Sequence, residues 1–152
     1  ARDGSGLRLL PTHEMVSHVG WIDDHRLLAY ARTRSQGDGY YILHTDGGPA
    51  ERIAGHAFNS DGHPMWSPKG GTFVTDSYPD RFRNQYLYLY DMTLASATQV
   101  LRTHLGRAFP GDLQVDLHPR FDRSGDVICF DSGHTGTRSL CTARVSGTGS
   151  GR

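Results

Sequence analysis

The sequence is short of cysteine, of net charge and of long apolar runs, and each shortage removes a class of function. Only two cysteines occur, Cys129 and Cys141. That is too few for a disulfide framework, and no Cys-x-x-Cys pair is present, so both read as small buried apolar residues. Lys plus Arg and Asp plus Glu number 16 each, giving a formal charge of zero. A general polyanion binder shows a basic excess, so nucleic acid is not an expected partner. No apolar run approaches the roughly 20 residues of a membrane-spanning helix, so no membrane partner is expected either. The opening "ARDGSGLRLL" has no initiator Met and no apolar signal region, and reads as the start of a processed or excised piece. Few cysteines and no signal point to the cytoplasm, with the periplasm open if a leader precedes. Helical periodicity is also missing.

What is present is turn chemistry and a repeat. Nineteen glycines, seven prolines and 10% aromatic residues suit a β protein rich in turns. Three sites share the pattern His-x-x-aromatic: His18 to Trp21, His63 to Trp66 and His118 to Phe121, at offsets of 45 and 55 residues. After each aromatic comes a turn ("IDDHR", "SPKGG", "DRSGD"), then an apolar run ("LLAYA", "TFVTD", "VICFD"). A polar loop and a third strand follow ("YYILHTD", "QYLYLYD", "SLCTARV"). "QYLYLYD" alternates with period 2, as a half-buried strand does. A fourth, weaker strand closes the first two copies.

The unit is a four-stranded antiparallel sheet at a period of 40–50 residues, which is a β-propeller blade pattern. The expected fold is therefore all-β, with about three blades of a partial propeller: a blade remnant over 5–13, blades over 15–55, 59–104 and 112–145, and a flexible tail over 146–152. Three blades cannot close a ring, so the chain reads as a C-terminal part of a longer propeller, the alternative being a short open form that covers its blade edges by self-association. The repeated aromatics Trp21, Trp66 and Phe121 are expected to hold the blades together.

Blade geometry then predicts a site. The start of strand one and the loop between strands two and three share one end of each blade. His18, His63 and His118 should therefore meet at one channel mouth, near the loops 76–83 and 131–138. In "QVDLHPRF", Gln114, Asp116 and His118 are spaced by two and share one face, with Val115 and Leu117 on the other. Imidazole, carboxylate and amide oxygen are ligand types for a divalent metal. Taken singly, a blade histidine reads as scaffold, bonded to loop backbone; three at equivalent positions, together with Gln-x-Asp-x-His, favour a site. His134 lies in the same loop region. Arg81, Arg83 and Arg138 also lie there and are candidate anchors for an anionic substrate, because the guanidinium fork matches a carboxylate.

The segments "GHPMWSPKGGTFVTDSYPD", "QYLYLYD" and "GDLQVDLHPRFDRSGDVICFDSGHTGTRSL" resemble the C-terminal blades of the oligogalacturonate lyase family, polysaccharide lyase family 22. The "HPxWSPxG" element also occurs in TolB-like and peptidase-associated propellers; Gly111 to Leu140 is the more specific part. The resemblance spans roughly Met15 to Val145. It implies part of a seven-bladed propeller that cleaves pectin fragments by β-elimination with a divalent ion, typically Mn2+. It implies His18 as base, and His63, His118 and Gln114 as metal ligands, with oligogalacturonate or a related uronide as substrate. One departure is plain: the family spaces Gln-x-x-His-x-His, whereas Asp116 stands here in place of the first of those histidines, with Gln114 one residue closer to His118. Aspartate also ligates Mn2+ or Mg2+. The family's arginine near the cleaved bond has no clear match. The competing reading is a non-catalytic TolB-like scaffold for protein interaction. A serine-peptidase propeller is a third reading, without support from any Gly-x-Ser-x-Gly elbow.

Overall fold

In the computed structural model, which describes residues 3–109 and 111–145, the chain forms three antiparallel sheets in sequence order. The first contains β1 (Val16–Trp21), β2 (Arg26–Thr33), β3 (Gly37–His44) and β4 (Glu51–Ile53), each strand beside the next. The second repeats this with β5 (Met65–Trp66), β6 (Thr72–Asp76), β7 (Asn84–Asp91) and β8 (Ser96–His104). The third holds β9 (Arg120–Phe121), β10 (Val127–Ser132) and β11 (Ser139–Arg144). This is the all-β blade architecture that the repeat predicts, with two complete blades and a three-stranded one. The expected tail over 146–152 lies outside the described residues. No helix among the described residues is long and apolar enough to cross a membrane.

The strands form where the chain alternates or runs apolar, and they stop at Asx-type turns. Asp23 Oδ1 accepts from the backbone N–H of His25 and Arg26 between β1 and β2. Asp122 Oδ1 does the same for Asp126 and Val127 between β9 and β10. A carboxylate that satisfies turn amides makes the reversal locally cheap.

Blades pack face to face. Leu28, Tyr30 and Tyr40 of the first sheet meet Phe73 and Tyr90 of the second. Val74 and Leu87 of the second meet Phe121, Ile128 and Phe130 of the third, with Leu117. Each such side chain contributes about 1.5–3 kcal/mol on burial. Within the first interface the buried hydroxyls of Tyr40 and Thr75 lie 2.8 Å apart. The short inner strand β5 touches both β1 and β9, so the first strands of the three blades are neighbours.

Among the described residues the segment 5–13 is assigned no strand; His13 N–H donates to Arg32 O, and Leu10 packs on the far face of the first sheet with Ala29, Ala31, Tyr41 and Leu43. One expectation changes, that of the repeated aromatic. Trp66 packs on the cluster shared with blade one, and Phe121 on the cluster shared with blade two. Each uses the preceding sheet as its wall. Trp21 has no preceding sheet among the described residues and is 63% exposed. The two cysteines are half-buried and free. Cys129 pairs across from Thr142 and Cys141 from Phe130, so they point to opposite faces.

Candidate metal centre

Three histidines converge where the inner strands meet. The His18 and His63 ring centroids are 3.8 Å apart, His63 and His118 3.6 Å, and His18 and His118 6.2 Å. Each arrives by its own local device. In β1 the register jumps between Val16, opposite Ala31, and Val19, opposite Ala29. Ser17 and His18 therefore share one partner position, and such a bulge re-aims the side chains it carries. His63 sits just before β5. Its neighbour Gly62 lies so close to blade two that an added Cβ would stand 2.1 Å from the Asp76 carbonyl oxygen; only glycine fits there. His118 has φ of +43°, a left-handed conformation that costs a non-glycine residue energy and must be held by its surroundings.

Asp76, at the end of β6, does the holding. It is 4% exposed. Its Oδ1 accepts from the backbone N–H of His63 at 2.7 Å, and Oδ2 accepts from that of His118 at 3.0 Å. The His63 Nδ1 lies 2.9 Å from Oδ1 and 3.0 Å from Oδ2. An ionised carboxylate only accepts, so Nδ1 carries the hydrogen and Nε2 keeps its lone pair. Carboxylate–histidine pairs of this kind orient metal-ligating imidazoles.

The stretch before β9 keeps the predicted alternation without sheet pairing. Val115 and Leu117 are buried at 1% and 0%, while Gln114, Asp116 and His118 turn outward. His63, Asp116 and His118 each offer a ligand atom, all within 4.8 Å of one another. Two imidazoles and a carboxylate suit a first-row divalent ion, so the donor set fits the metal that the sequence suggests. Gln114 Nε2 donates to Asp116 Oδ1 at 2.5 Å, which fixes the carboxylate rather than adding a bond of its own to the group.

His18 stands beside this group. Its Nε2 is 3.1 Å from Tyr78 Oη and 4.0 Å from Asp61 Oδ2. Partial burial, then the neighbouring His63, holds its pKa below the usual histidine value, against the pull of Asp61. Burial pushes the Tyr78 phenol up, helped by the carboxylates Asp61, Asp116 and Asp76.

The other predicted residues are not drawn in. Arg83 donates from Nε to Leu105 O and from Nη2 to Gly106 O and Phe109 O, so it clamps the loop after β8 and is not free for a substrate. Arg138 pairs with Asp131 at 2.9 Å, and Arg81 lies 4.6 Å from the centroid of the Phe82 ring. His134 Nδ1 is bonded to Ser132 Oγ at 2.8 Å. Sequence reasoning missed Asp76, Asp61 and Tyr78. A signal existed for two of them: "TDSYPD" occupies the loop that blade geometry puts at the histidine end.

No family model matches the chain. Tol-Pal system protein TolB of Geobacter sulfurreducens is 33% identical over 72 residues, covering 45% of this chain and 16% of that protein. A solved structure from Agrobacterium tumefaciens assigned as TolB superposes with a TM-score of 0.58 at 20% identity, over 82% of this chain and 40% of that one. This chain has a TolB-like β-propeller fold. An oligogalacturonate lyase in complex with manganese superposes at 0.42 with 16% identity, over 87% of this chain and 49% of that one, a likeness too low to carry an argument. The chain spans less than half the length of each of these proteins.

Proposed function

We propose that the chain carries the metal-binding face of a propeller that cleaves short uronides, oligogalacturonate first among them, by β-elimination. His63, Asp116 and His118 hold a divalent ion, Mn2+ by resemblance, and His18 is the base. The observation that carries this reading is the convergence of ligand atoms from two blades, with the His18 imidazole, its pKa lowered, packed at a tilt against His63. A bound divalent ion supplies charge neutralisation of the substrate carboxylate, which otherwise opposes loss of the adjacent proton. His18 is neutral near pH 7 and can accept the C5 proton. The fixed orientation of His63 by Asp76 means the ligand set needs little reorganisation.

A second reading, a non-catalytic TolB-like scaffold for protein interaction, has its own support. The comparisons lean to it, because the 33% identity over 72 residues is to a TolB and the manganese lyase is the weaker structural match. On that reading the histidines only tie blade ends together and Mn2+ does not bind.

Calorimetric titration of Mn2+, with absorbance of the unsaturated product from oligogalacturonate, separates the two. The lyase reading expects one tight site and product formation in the natural full-length protein. It also expects His18→Ala to abolish turnover with Mn2+ binding kept. Absence of both binding and product sinks it; Mn2+ binding lost in His18→Ala makes His18 a ligand instead.

A further inference from the structure

The stretch that carries two of the three candidate ligands has no strand of its own. Residues 114–119 pair with no sheet, yet Asp116 presents its carboxylate to His63 and His118. Other bonds must hold its backbone. After Asp116 they come from the two neighbouring blades: Leu117 O accepts from the backbone N–H of Asp131 at 2.8 Å, and His118 N–H donates to Asp76. Before Asp116 the bond comes from a side chain. Gln85, in β7, donates from Nε2 to Val115 O at 2.8 Å. That carbonyl belongs to the peptide that enters Asp116. We propose that Gln85 is a positioning residue of the metal centre, which sets Asp116 for the ion by holding this peptide. The inference rests on the metal reading above.

Packing does not call for a glutamine at this position. In the alternation of β7, Gln85 shares a face with Leu87, which packs with Leu117, Phe121 and Ile128. On the adjoining strand Leu101 stands opposite Leu87, and Thr103 opposite Gln85. An apolar residue is the expected occupant. Gln85 is instead fully buried and its amide is half used. Its orientation follows from chemistry, since only the amide nitrogen can donate to a carbonyl. Oε1 is then left without a hydrogen-bond partner among the described residues, as is Thr103 Oγ1. A buried acceptor without a donor costs free energy. A residue that breaks the packing rule and grips the backbone beside a ligand is one that the site selects, not the core.

The action passes through the backbone. Val115 O is held from the second blade and Leu117 O from the third, so Asp116 lies between two anchored carbonyls. Its side chain leaves the chain in one direction, and Gln114 fixes the carboxylate at its far end. Without Gln85 the peptide entering Asp116 can rotate, and the carboxylate must be ordered as the ion binds. The loss then falls on affinity more than on the fold.

The test is Gln85→Met in the natural full-length protein, read by calorimetric titration of Mn2+ beside urea unfolding of the metal-free form. The change removes one unpartnered acceptor, Gln85 Oε1, and deprives another, Val115 O, of its donor, so the unfolding midpoint should stay near that of wild type. Mn2+ affinity should fall about 10–100-fold, as when a metal ligand loses the group that orients it. Gln85→Asn keeps the amide but is one methylene shorter and should weaken binding likewise, so either variant can enter a double-mutant cycle with Asp116→Ala. If Gln85 acts through Asp116, the double variant binds Mn2+ as Asp116→Ala does alone. Affinity within about threefold of wild type in both variants, or losses that add in the cycle, overturns the role of Gln85 and leaves the metal reading standing. Wild-type protein that binds no Mn2+ overturns both.

Discussion

One carboxylate, that of Asp76, receives both N–H groups of His63 and the backbone N–H of His118. An amide in its place offers one accepting oxygen and turns a donor toward donors. Asp76→Asn should cost about 1–3 kcal/mol of stability and weaken Mn2+ binding about 10–100-fold, measured by urea unfolding and calorimetry. Unchanged affinity would mean that strand packing alone places the histidines. His18 carries a second prediction. Its pKa is lowered by burial and by His63, so between the folded value and 6.5 the unfolded chain binds more protons. Stability at His18 is then complete above about pH 6.5 and declines as pH falls toward the folded value. An NMR titration of metal-free protein should place the His18 midpoint below 6.5; a midpoint above it would mean that Asp61 prevails. The histidines were legible in the sequence because they recur at one position of the repeat. For Asp76 only its loop was legible and not its role, because an aspartate at a strand end reads as turn chemistry until the strand's neighbour is known.

At the scale of elements, the loop entering β5 is set by contact between blades. An alanine Cβ at Gly62 would sit 2.1 Å from the Asp76 carbonyl, 2.7 Å from Thr75 Oγ1 and 3.0 Å from Tyr40 Oη. The nearest of these is backbone inside a paired strand and cannot yield. Gly62→Ala should therefore push His63 off Asp76, reducing Mn2+ affinity more than it reduces stability. A calorimetric titration of the variant beside its unfolding curve checks this; wild-type affinity would show that the loop moves freely. The strands themselves were readable, since "YYILHTD" opens on an apolar run and "QYLYLYD" alternates with period 2, and they lie in β3 and β7. The bulge at Ser17 and His18 was not readable, because a one-residue surplus in a strand appears only once its partner's register is fixed. Arg83 shows the same limit: sequence places it in the right loop, while three carbonyls 22 to 26 residues away decide its use.

Across the whole molecule, the candidate ligands are divided between two blades. His63 leads into the second sheet, and Asp116 and His118 lead into the third. An ion bound by all three would join those blades in addition to the apolar interface formed by Val74, Leu87, Phe121 and Phe130. Binding confined to the folded arrangement adds its free energy to stability, about 2.7 kcal/mol when the free ion is 100 times its Kd. For a chain of this size that is a rise in Tm of several degrees. Mn2+ should therefore raise Tm, EDTA should reverse the rise, and His118→Ala should remove it while leaving the metal-free Tm nearly unchanged, because His118 is exposed. Hydrogen exchange sharpens the assignment: with Mn2+, protection should grow in β9 and β10 as well as in β5 and β6. Protection confined to the second sheet would mean that the ion rests on His63 without joining the blades, and a Tm indifferent to Mn2+ would remove the metal reading and leave the scaffold.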